Sequence, residues 1–260
     1  MGNEIYVSLQ HDDCLERDTR QDRLDIYNSI FDIYRESPYG PLLYSHVRFG
    51  IFMPEDIASE RWQEILGDHV NNLLHLKETL FDTDDFIKAQ KTQPDKRQFS
   101  DHEAHLLRLY AVIHDMAEVI LGDTPDTQKA NKKYAMQLEM EILHNMVGVL
   151  YKFDSALVSD MHEAIEDIGK GKNEFLTKAF RTIECIGYAK VVIPAERHIQ
   201  DAETDALKEG LTRLVVSVAK RGYPEIQKQK SEFVYAQQFT NAHDQLFHQA
   251  LLKYDPALAS

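Results

Sequence analysis

The sequence predicts an all-α protein, and three observations carry that expectation. Apolar side chains recur at spacings of three and four along most of the 260 residues. Only 11 Gly and 8 Pro punctuate them, too few for a chain of many short strands. No internal repeat, heptad array or low-complexity linker divides the chain, so one helical domain over 1–260 is the simplest organisation.

Taken in order, "EIYVSLQ" alternates weakly and is the one candidate for a short strand. "RLDIYNSIFDIYRE" (23–36) places apolar side chains at 26, 27, 30, 31, 33 and 34, then stops at "SPYGP". Residues 60–81 predict an amphipathic helix of about six turns carrying Trp62, Ile65, Leu66, Val70, Leu73, Leu74, Leu80 and Phe81. The stretch 82–101, "DTDDFIKAQKTQPDKRQFSD", is polar and holds Pro94, so a loop or lid-like insertion is expected there. A helix over 102–121 ends at Gly122, and Thr124-Pro125 supplies a cap and first-turn proline for the next. That helix has Leu138, Ile142, Met146 and Val149 as its inner stripe. Further helices are expected over 155–168, 173–193, 200–220 and 238–253, with "GKGKN" and "RGYP" as breaks.

The chain is 43% apolar and 28% charged, the composition of a globular domain. With 43 Asp+Glu against 29 Lys+Arg the formal charge is −14, a field that repels a phosphate backbone and argues against duplex nucleic acid. A small phosphorylated ligand is still compatible where positive charge is gathered locally. Cys14 and Cys185 offer no zinc-finger spacing and no disulfide framework, and they fit a reducing compartment. There is no apolar leader segment and no run of 18 apolar residues, so no membrane partner is implied and a cytoplasmic location is expected.

The segment "AVIHDMAEVILGDTP" (111–125) departs from this plain pattern. At about 100° per residue, Asp115 lies about 100° and Glu118 about 40° from His114, so three titratable groups share a third of the helix circumference. Their neighbours are Val112, Ile113, Met116, Ala117, Val119 and Ile120. A carboxylate in such surroundings needs a hydrogen-bonded partner or a cation. A histidine satisfied by its neighbouring carboxylate is the plain explanation; half of a mixed N/O metal site is the sharper one. Asp123 follows just past the helix end, and Lys129 is one of few positive charges nearby.

Two further helices present groups competent to bind a metal ion. His69 projects from the apolar stripe in phase with Trp62, Leu66 and Leu73, with Asp68 beside it to orient the ring. Glu184, in "AFRTIECIGYAKVVI", shares a face with Phe180, Gly187 and Val191. Such groups on separate helices point to a divalent ion, and an N/O ligand set admits Mn, Co, Mg, Fe or Zn.

These residues resemble the pattern of the HD-domain metal-dependent phosphohydrolases, His … His-Asp … Asp on separate helices. Within that superfamily "HDMAEVILGDTP", with Lys129 downstream, is most similar to the bacterial 5′-deoxynucleotidases. The likeness spans about 45–195 and is strongest over 110–129. It implies an HD-like helical bundle on which C-terminal helices 196–260 pack. It further implies His69, His114, Asp115 and Glu184 as metal ligands, with Glu118 and Asp123 as the catalytic acids that position water and manage protons. Glu184 departs from the family Asp by one methylene. The family's Arg-Trp pair stands well upstream of the first His, whereas Arg61-Trp62 lies about 10 Å of helical rise before His69. Arg48 competes for the arginine role, and Lys129 offsets phosphate charge.

The activity implied is hydrolysis of a nucleotide phosphate ester, first of all a 5′-deoxynucleoside monophosphate. A dNTP triphosphohydrolase or guanosine-tetraphosphate hydrolase would use similar ligands, and an HD fold that binds a nucleotide or partner protein without turnover is the reading from another class. Tyr, Phe and Leu side chains over 233–254 offer a surface for a homodimer.

Overall fold

The computed structural model describes residues 72–121, 132–148 and 155–255, with shorter pieces at 30–32, 35, 40–45, 52–53, 57 and 59–66. Among these the chain is all-α, with ten α-helices and no strand. They are α1 (Gly40–Ser45), α2 (Ser59–Leu66), α3 (Asn72–Lys91), α4 (Asp101–Ile113) and α5 (Glu118–Leu121), followed by α6 (Lys132–Gly148) and α7 (Ser155–Ala164). The last three are α8 (Glu174–Gln200), α9 (Asp205–Gln229) and α10 (Val234–Tyr254). The "EIYVSLQ" segment and the restart at Thr124-Pro125 lie outside the described residues.

The segment 60–81 is not one helix, and of the expected loop 82–101 only 92–100 is one. Two helices, α2 and α3, take the place of the first, and α3 continues to Lys91. Three of the polar residues that suggested a loop, Asp82, Thr83 and Gln90, point inward and are satisfied there. Thr83 donates to the Thr79 carbonyl at 2.7 Å. Asp82, buried, pairs with Lys190 of α8. Gln90, fully buried, donates to the carbonyls of Arg97 (2.9 Å) and Glu232 (3.1 Å) and accepts from the Val234 N–H at 3.0 Å. Once each polar group has a partner, the desolvation that would exclude it from a core helix is offset.

Only Thr92–Ser100 connects α3 to α4. Ser100 caps α4 reciprocally: its hydroxyl accepts from the Glu103 N–H at 3.1 Å, and Glu103 accepts from the Ser100 N–H at 2.9 Å. The expected 102–121 helix is interrupted at 114–117, where Met116 and Glu118 donate three residues back, to Ile113 (3.0 Å) and Asp115 (3.1 Å). The helix therefore tightens into turns at the His-Asp pair and resumes as α5.

In α6 the buried side chains are Met140, Leu143, Met146 and Val147; Leu138 and Ile142 are half-buried and Val149 lies outside the described residues. Helix α7 passes into a π turn, Ile165–Gly169, in which Lys170 donates to the Ile165 carbonyl at 2.9 Å. A Cβ at Gly169 would sit 2.8 Å from both Tyr110 Oη and Met140 Sδ, so those side-chain ends would have to shift to admit it. The "GKGKN" break falls as expected, closing with Gly171 at φ +75° and with Asn173 capping α8.

The "RGYP" break does not occur: α9 runs through Pro224, as α8 runs through Pro194. A proline inside an unsupported helix costs about 3 kcal/mol. Here α8 and α9 lie against each other along their length, and buried residues on both sides of each proline hold the helix in register. Helix α8 is the central element, packing on α2, α3, α4, α9, α10 and the π turn. A ring cluster of Phe86, Phe99, Phe175 and Phe233 closes the core between α3, α8 and the start of α10, with centroids 5.0–6.5 Å apart. No described helix is long and apolar enough to cross a membrane.

Candidate metal centre

Three side chains converge where α4 tightens into turns. His75 comes from the first turn of α3, and His114 and Asp115 follow the last residue of α4. All three are buried, and one potential ligand atom from each lies within 4.8 Å of the others. The carboxylate stands between the rings: Asp115 Oδ2 is 3.0 Å from His114 Nε2 and 3.5 Å from His75 Nε2.

The tautomer of His114 follows from its other nitrogen. Nδ1 is 3.0 Å from the Ala111 carbonyl, an obligate acceptor, so Nδ1 carries the hydrogen and donates. In the neutral ring Nε2 is then an acceptor that faces a carboxylate oxygen. Two acceptors at that distance need a cation between them, either a proton or a metal ion. Adjacent ligands of an ion held at about 2.1 Å are roughly 3.0 Å apart in octahedral and 3.4 Å in tetrahedral geometry. The two measured separations fit that spacing. A backbone carbonyl on the far nitrogen is also the usual device that orients a ligating histidine.

Aromatic rings wall the group. His114 meets Phe180 edge-on at 5.0 Å, and Phe180 meets Tyr110 at 4.7 Å. Burial, aided by the carboxylates of Glu184, Glu139 and Asp115, pushes the Tyr110 phenol far above its usual range, so it stays neutral. On the other side Tyr188 lies parallel to His75, with centroids 6.4 Å apart, and its hydroxyl donates to Glu184 Oε1 at 3.1 Å.

The sequence-derived residues divide accordingly. His114 and Asp115 meet as expected. The histidine that joins them is His75, which sequence reasoning missed; His69 lies outside the described residues, as do Arg48, Asp123 and Lys129. Glu184 is half-buried on α8, outside the three-residue group and bound to Tyr188, whose ring stacks on His75. Glu118 opens α5, half-buried, one turn beyond His114. Arg61 is engaged by Glu64 at 2.7 Å and Glu203 at 3.0 Å, and Trp62 is fully enclosed in the core.

Fold and site together define an all-α protein with a buried His-His-Asp group that could hold a metal ion. Comparison with known protein families, curated proteins and solved structures gives no match to this chain.

Proposed function

We propose that the protein is a metal-dependent phosphohydrolase that cleaves the phosphate ester of a nucleotide, with a 5′-deoxynucleoside monophosphate as its first substrate. The observation that carries this reading is the convergence of His75, His114 and Asp115 from separate elements on one buried point. The support from sequence is the company of that point: Glu118, Asp123 and Lys129 follow the His-Asp pair in the order the HD-type nucleotidases use.

In this reading His75, His114 and Asp115 hold the ion. A divalent ion there supplies positive charge to the phosphoryl oxygens and lowers the pKa of water. Glu118 and Asp123 position that water and deliver a proton to the leaving oxygen. Lys129 and Arg48 offset the phosphate charge. Glu184, tied to Tyr188, is the nearby carboxylate of α8 and belongs to the same site.

The test is product analysis. With Mn²⁺ or Co²⁺, a deoxynucleoside monophosphate should yield inorganic phosphate, and chelation or His114→Ala with Asp115→Ala should abolish the yield. Pyrophosphate or triphosphate as the product would move the assignment to a guanosine-tetraphosphate hydrolase or a dNTP triphosphohydrolase. Tight nucleotide binding with no product would make the chain a binder.

A further inference from the structure

A second meeting of imidazoles lies apart from the candidate centre, at the seam where α6 packs on α7 and the π turn. His144 of α6 and His162 of α7 face each other with their Nδ1 atoms 2.6 Å apart and their rings 4.8 Å between centroids. On its other nitrogen, Nε2, His144 is 3.2 Å from Glu166 Oε1 in the π turn. Glu166 is gripped in turn by Lys170 and by Lys172, the latter at 2.5 Å. Those two ammonium groups hold its carboxyl down at about 2, so it is an anion and an acceptor.

The donor pattern then follows. Glu166 accepts from His144 Nε2–H, which leaves His144 Nδ1 as a lone pair directed at the Nδ1 of His162. Burial, with Lys170 and His162 close by, pulls the His144 imidazole below its ordinary value and keeps it neutral. A carboxylate on one nitrogen and an open lone pair on the other is how a histidine is oriented toward a metal. A nitrogen pair this close must share a proton or a cation. Two nitrogens on a tetrahedral ion at about 2.0–2.1 Å stand roughly 3.4 Å apart, so side-chain rotation of under about 1 Å makes room.

We propose that His144 and His162 form a second, two-imidazole site for a borderline divalent transition ion of the zinc or nickel class, which staples α6 to α7. The ligand chemistry sets the class: imidazole suits zinc, nickel and copper, while magnesium, calcium and manganese favour oxygen. Water completes the coordination. The site is independent of the His75–His114–Asp115 group and of the activity proposed for it.

The experiment is Zn²⁺ titration of the full chain, followed by two-bond ¹H–¹⁵N NMR of the histidine rings and by thermal unfolding. Both Nδ1 resonances should move to metal-bound positions, and Tm should rise with zinc concentration. His144→Gln and His162→Gln should each weaken this zinc binding at least tenfold and leave Mn²⁺ binding unchanged. If either variant misfolds, the wild-type spectrum decides alone. A single Nδ1 proton shared by the pair in excess zinc, or zinc binding unaltered in both variants, overturns the proposal.

Discussion

The Asp115 carboxylate lies 3.5 Å from the imidazole of His75, although His75 belongs to α3 and Asp115 to the turn that follows α4. Asp115 is thus shared between two rings, and its loss should be felt by both. Asp115→Asn keeps the shape but removes the charge that balances a cation. Divalent-ion affinity should fall by about 10²-fold or more, comparable to or beyond the loss of an outer partner of a metal ligand. Equilibrium dialysis with Mn²⁺ measures it.

Gly169 faces Tyr110 and Met140 across the π turn. Gly169→Ala places a methyl group 2.8 Å from Tyr110 Oη and Met140 Sδ, so those two side chains must shift within a packed seam. The expected cost is about 1–3 kcal/mol, the range for overpacking. Urea denaturation should show a lower midpoint with an unchanged slope.

Gln90 joins three chain segments through its amide. Gln90→Leu fits the cavity but leaves the Val234 N–H and two carbonyls without their partner. The loss should be about 3 kcal/mol, well above that of an ordinary surface change, because buried backbone groups are left unsatisfied. Amide exchange should quicken at Val234 in particular.

Lys190 and Asp82 set the alkaline limb of stability. Burial lowers the Lys190 ammonium, but Asp82 and Tyr235 outweigh it, and the folded value lies above the ordinary 10.5. A raised value means that the contribution is complete below 10.5 and is lost as pH climbs through the folded value. Asp82→Asn removes the anion and should cost about 2–3 kcal/mol at pH 7, somewhat less than for a fully buried pair. The gap between wild type and variant should narrow above pH 10.5, as read by denaturation across pH.

Much of this was legible in the sequence. The three-and-four spacing gave the helical class, and the apolar surroundings of His114 and Asp115 marked them as a pair requiring compensation. The polar half of α3 was not legible, because Asp82 and Gln90 are satisfied by Lys190 and Val234, which lie far along the chain. His75 was missed for a related reason. Carrying the phase of Trp62 forward treats 60–81 as one helix, whereas α3 has its own phase. Within α3, His75, Thr79, Asp82, Thr83, Phe86 and Gln90 fall within about 100° of arc, an inward polar stripe at i+4, i+7 and i+8. That stripe was the available signal. The proline at 224 misled because its cost is local and the α8–α9 packing that offsets it is not.

Isothermal calorimetry of Mn²⁺ into chelator-stripped protein tests the centre most directly, since this group supplies a carboxylate oxygen for manganese and the His144–His162 pair does not. Wild type should take up one tight equivalent, and folded His75→Gln should lose it. Heat of binding that is absent from wild type, or that persists undiminished in His75→Gln, would contradict a metal held by His75, His114 and Asp115.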